Sequence, residues 1–112
     1  MKNIFLPLIL TLSLPVTANV VCSGKIDRVQ VTQQGHVELR SSEIYGNETG
    51  RTLCNLSFEY KNVATNTCQA WYSFLLASKA QKEAIRIQFY NGECSNQATW
   101  RDAEVPHMIS HN

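Results

Sequence analysis

The sequence predicts a mainly β domain with one helix set among its strands, and three observations predict it. Short apolar runs recur with a period of two around residues 29–31, 37–39, 51–60 and 85–89. A single stretch at helical spacing lies between the last two of these runs. Four cysteines stand far apart in a chain of 112 residues.

The first elements form a hairpin. Val29 and Val31 alternate with polar neighbours, Gln33-Gln34-Gly35 supplies a turn, and Val37 and Leu39 alternate between His36, Glu38 and Arg40. His36 faces away from Val37 and Leu39 and is expected to be exposed. Ile26 is out of phase with Val29 and Val31. Alternation has a strict period of two, so a bulge or bend is expected near Asp27 and Arg28, and the first strand should curve. A polar connection over residues 41–50, holding Gly46 and Gly50, leads to a third strand over residues 51–60 in which Cys54, Leu56, Phe58 and Tyr60 share a face.

After a loop at residues 61–66, Thr67 is placed as the N-cap of a helix running from Cys68 to about Lys82. Trp71, Phe74 and Leu75 recur at helical spacing with Ser78, and Tyr72 and Leu76 widen the stripe. In the fourth strand Ile85, Ile87 and Phe89 alternate with Arg86, Gln88 and Tyr90. It ends at Asn91-Gly92, where a type I′ turn is expected because both positions tolerate positive φ. Residues 100–102 and 105–110 supply the last strand, with Pro106 at a bend or edge.

The order β-β-β-α-β-β is that of the OB-fold, a five-stranded Greek-key barrel whose curved first strand suits the break at Asp27 and Arg28. Four cysteines allow three pairings. In such a barrel the first strand runs antiparallel beside the fourth, which brings Cys22 to Cys94 and leaves Cys54, on the third strand, for Cys68 at the helix start. The cysteine spacings of 32, 14 and 26 contain no C-x-x-C pair, so two disulfides are expected rather than a metal.

Residues 1–18 read as a bacterial signal peptide. Lys2 opens it, an apolar run covers residues 4–14, and Val16-Thr17-Ala18 suits signal peptidase, leaving residues 19–112 as one domain. The run is too short, and too broken by Pro7 and Pro15, to span a membrane stably. Export and paired cysteines place the mature chain in the periplasm or outside the cell. Loss of Lys2 from the ten basic residues leaves nine, against nine acidic ones. No field that would attract nucleic acid is expected.

Nothing in the pattern assembles a catalytic set, and the chain is read as a non-enzyme. Its carboxylates are scattered, no serine stands in a G-x-S-x-G elbow, and the thiols are committed to disulfides. His107 and His111 have i, i+4 spacing but lack a Glu between them in an H-E-x-x-H arrangement and lie in a tail with little helical pattern. No metal or other cofactor is expected. Aromatic residues outside the helix are the candidate ligand contacts: Trp100, Tyr45, Tyr60 and Tyr90. The loops at residues 41–50 and 62–66 would form a rim around them.

The run Leu53-Cys54-Asn55-Leu56, the helix opened by Cys68 with Trp71-Tyr72 and Leu75-Leu76-Ala77, then Ile85-Arg86-Ile87, Phe89-Tyr90 and Cys94-Ser95 resemble a group of small secreted four-cysteine bacterial proteins of unassigned function. Their likeness begins at Cys22-Ser23-Gly24-Lys25. From Cys54 to about Tyr90 the element order is similar, more distantly, to the OB-fold B subunits of subtilase-cytotoxin-like AB5 toxins. That resemblance implies a glycan-binding, ring-forming homo-oligomer. Two classes of function remain open: a recognition module for a glycan or protein partner, and a small periplasmic inhibitor or envelope protein that inserts a loop such as residues 91–93 into another protein.

Overall fold

Six strands build two antiparallel three-stranded sheets in the computed structural model, which describes residues 20–112. The predicted signal peptide lies outside the described residues. The elements run β1 (Val20–Lys25), β2 (Arg28–Val31), β3 (His36–Arg40), α1 (Ser42–Tyr45), β4 (Arg51–Asn55), α2 (Thr65–Ala80), β5 (Ala84–Phe89) and β6 (Met108–His111). One sheet has the order β1-β5-β6 and the other β2-β3-β4.

The closed five-stranded barrel is not formed, and the bend at Ile26 and Asp27 shows why. The strand expected to curve there divides instead. Its first half, β1, pairs with β5 from Val20 opposite Phe89 to Lys25 opposite Ala84, while its second half, β2, pairs with β3. Asp27 N–H still donates to Arg40 O at 2.9 Å, so the chain passes from one sheet to the other without a gap in bonding. Closure also fails at β4. Its free edge receives only the backbone of Trp100, in a parallel bridge to Arg51, whereas the last strand pairs with β5.

Both disulfides join the expected partners. Cys22 is bonded to Cys94 and Cys54 to Cys68, with Cα atoms 5.6 and 5.5 Å apart. The first fastens β1 to the 3₁₀ turn at Cys94–Asn96, and the second fastens β4 to the first turns of α2. Val37, Leu39, Leu53, Leu75, Ile85, Ile87 and Phe89 are fully buried between the sheets and the helix.

Local chemistry moves several boundaries. The third strand stops at Asn55 because the Asn55 side-chain oxygen accepts from the N–H groups of Ser57 and Phe58 and turns the chain. Helix α2 starts three residues earlier than Cys68, with Ala64 at its N-cap, and Lys82 beyond its end takes φ 56°. The connection at residues 41–50 contains α1, whose N-cap Ser41 accepts from Ile44 N–H at 3.2 Å. Gly24 sits under this helix, where a Cβ would come within 2.5 Å of Glu43 Cβ. After β5, positive φ is adopted by Gly92 but not by Asn91. The two-residue turn with both φ positive is instead Lys61 (44°) and Asn62 (68°), closed by paired hydrogen bonds between Tyr60 and Val63.

Candidate recognition clefts

The β4–α2 turn, the start of α2, the end of β5 and the segment at residues 104–107 enclose a cleft of about 500 Å³. Tyr90 is the residue after β5 and is 61% exposed. Its ring stacks on His107, with centroids 4.1 Å apart and planes 21° from parallel. His107 is held by its backbone N–H, which donates to Gln88 O at 2.9 Å. One face of Tyr90 is thus backed by a fixed ring, and Trp71, half-buried on α2, adds a second aromatic to the lining. Asn62, Thr67, Glu104 and Lys61 supply polar groups around the same space. His107 Nε2 is buried without a hydrogen-bond partner among the described residues.

The two polar walls are tied together. Lys61 Nζ donates to the carbonyls of Arg101 (2.6 Å) and Ala103 (3.1 Å), and Tyr60 Oη donates to Arg101 O at 3.1 Å. The turn before α2 therefore anchors the strap at residues 100–107. An ammonium has three donors, so two carbonyls leave Lys61 with one for a ligand.

The other end of that strap walls a second cleft, about 420 Å³, lined by Glu38, Thr52, Trp100, Arg101 and Asp102. Trp100 is 41% exposed and has φ 53°, a left-handed conformation that a bulky residue adopts only when its surroundings enforce it. Here Thr52 N–H donates to Trp100 O at 3.1 Å, Trp100 N–H donates to Gly50 O at 2.7 Å, and the ring lies against Gly50. Arg40 places its guanidinium 5.3 Å from the ring centre. Glu38, on the central strand, is 7% exposed, and its Oε2 has no partner among the described residues. Arg101 is drawn to Gln34 Oε1 at 2.8 Å.

The four aromatic candidates therefore separate. Tyr90 and Trp100 line different clefts, and Tyr60 stands between them as a strap anchor. Tyr45 is only 1% exposed and is not brought to the surface with the others. The Arg51 guanidinium lies 4.5 Å from its ring centre and donates to Ala98 O, Asn47 Oδ1, Thr49 O and Gln97 O, all neutral acceptors. Burial raises the Tyr45 pKa far above the ordinary phenol value and lowers that of Arg51.

His36 also departs from expectation. It is 5% exposed because Phe58 and Tyr60 set their rings edge-on around it at 5.7 and 5.3 Å. Burial, aided by the Arg101 charge, lowers its pKa, against an opposing pull from Glu38. Among the described residues no group of three or more His, Cys, Asp and Glu side chains is arranged to hold a metal, and no helix is long and apolar enough to cross a membrane. His107 and His111 lie in different settings, one under Tyr90 and the other against Phe74 and Glu83.

Sequence reasoning missed His107, Glu104 and Glu38 as lining residues. The one local signal was the alternation that sets His36, Glu38 and Arg40 on the face of β3 opposite Val37 and Leu39. No family model, curated protein or solved structure matches this chain.

Proposed function

We propose that this chain is an exported, non-catalytic recognition module that binds a glycan in the cleft between Tyr90 and α2. The observation that carries this reading is the Tyr90–His107 stack. A pyranose ring has an apolar C–H face and a rim of hydroxyls, and it is matched by a rigid exposed aromatic plate beside a few fixed donors and acceptors. Asn62, Thr67, Glu104 and the free donor of Lys61 supply such groups. The resemblance to OB-fold toxin B subunits supports the same ligand class and extends it to a ring-shaped homo-oligomer. The helix between the third and fourth runs, together with a first run passing from sheet to sheet, supports reading the fold as an opened relative of the OB barrel.

Two disulfides agree with an oxidising compartment, the periplasm or the cell exterior. Export would follow from cleavage after Ala18. The test is a glycan array probed with the mature chain, alongside Tyr90→Ala and a size measurement in solution. Retention of a defined glycan, with a loss of about tenfold or more in Tyr90→Ala, is expected. Silence across the array would reject the reading. It would favour the inhibitor alternative, which draws on the exposed loop at residues 91–93 next to the Cys22–Cys94 disulfide and predicts capture of a protein by a monomer.

A further inference from the structure

The two clefts share one wall and repeat one chemistry. Residues 100–102 of the strap line the Trp100 cleft and residues 104–107 line the Tyr90 cleft, with Ala103 between them. Asp102, which lines one cleft, and Glu104, which lines the other, are two residues apart, at most about 7 Å along an extended chain. Each cleft is lined by an aromatic ring, a carboxylate and a cationic side chain, and each has a lining residue with a buried polar atom that lacks a partner among the described residues: Glu38 Oε2 in one and His107 Nε2 in the other. Glu38 is 93% removed from solvent on a central strand, where a bare carboxylate oxygen is costly unless a donor reaches it. A hydroxyl of a ligand seated in the cleft that Glu38 lines would meet that need.

From this juxtaposition we propose that the Trp100 cleft is a second sugar subsite, and that the natural ligand is an oligosaccharide lying across the strap with one ring in each cleft. The inference rests on the glycan reading of the Tyr90 cleft. A hydroxyl suits the second cleft because it can donate to the Glu38 or Asp102 carboxylate and accept from the Arg101 guanidinium, all of which line it. A simple cation suits it less, since Arg101 lines the same cleft and the Arg40 guanidinium lies against its Trp100 ring. Lys61 and Tyr60 hold the strap from beneath and so keep the spacing of the two subsites constant.

The experiment titrates the mature chain with the glycan retained on an array, in forms of one to about six sugar units, comparing wild type, Glu38→Gln and Tyr90→Ala. Linking two subsites through one ligand raises the apparent affinity by effective concentration, so forms of two or more units should bind at least about tenfold tighter than the single sugar. Glu38→Gln should erase that gain and leave single-sugar binding intact, whereas Tyr90→Ala should weaken both. Asp102→Asn, on the exposed lip, gives the same readout should Glu38→Gln fail to fold. Equal affinity at every length, or a length gain that survives in the folded variant of the second cleft, overturns the two-subsite inference while leaving the glycan reading standing. Absence of binding at every length overturns both.

Discussion

Tyr45 and Tyr90 carry the same side chain to opposite ends. Tyr90 leaves β5 at its end and keeps its ring in solvent, backed by His107, whereas Tyr45 closes α1 and turns inward beneath Arg51. Its hydroxyl is buried with no partner among the described residues, a desolvation cost that nothing offsets. Tyr45→Phe should therefore stabilise the fold by about 1 kcal/mol in urea unfolding, and a loss of stability would show that the hydroxyl is bonded after all. His36 makes a second residue-scale prediction. Its folded-state pKa lies below the ordinary histidine value near 6.5, so the unfolded chain takes up the proton first as the pH falls. The stability linked to His36 is full above about pH 6.5 and declines as the pH drops through the folded value. The urea midpoint should fall from about pH 7.5 to about pH 5, and His36→Phe should flatten that fall; an unchanged slope would assign it to other groups.

At the scale of elements, Gly50 and Trp100 form a matched pair across the free edge of β4. A Cβ on Gly50 would stand 2.6 Å from a carbon of the Trp100 ring. Gly50→Ala should cost roughly 1–3 kcal/mol, as overpacking does, and shift the indole resonances of Trp100. A variant with unchanged indole signals would mean that the ring is free to move. The same elements explain what was legible in the sequence. The strands marked by alternation appear as expected, and Val37, Leu39, Ile85, Ile87 and Phe89 are buried in the core, whereas on β2 Val29 is partly buried and Val31 is exposed. Helix α1 was invisible because four residues are too few for a helical period, although Ser41 is a good N-cap. The type I′ turn was expected at Asn91-Gly92 and occurs at Lys61 and Asn62, where tertiary anchoring of Lys61 to the strap overrides local preference. Tyr90 and the loop at residues 62–66 were legible singly as candidate contacts, but their meeting in one cleft was not. Its walls come from residues 61–71, Tyr90 and residues 104–107, which no spacing rule connects.

For the whole molecule, the pairing of cysteines was legible because it needs only the neighbour relation of β1 and β5, which survives without a closed barrel. Closure itself was not legible. It turned on whether the chain at Ile26 and Asp27 bends as one strand or divides, and out-of-phase apolar residues are compatible with both. A domain this small depends on its covalent links. Chain entropy assigns about 3 kcal/mol to the Cys54–Cys68 loop and a little over about 4 kcal/mol to the Cys22–Cys94 loop. Replacing Cys22 and Cys94 together by Ala should thus lower the urea midpoint more than replacing Cys54 and Cys68, and the reverse order would place the stabilisation in local packing rather than loop closure.

The most direct measurement is a two-dimensional amide spectrum of the mature chain titrated with the glycan retained on the array. Binding at the Tyr90 cleft predicts shifts concentrated at Asn62, Thr67, Tyr90 and His107. Shifts confined to β2 or the β1 edge, or none at saturating glycan, would contradict it.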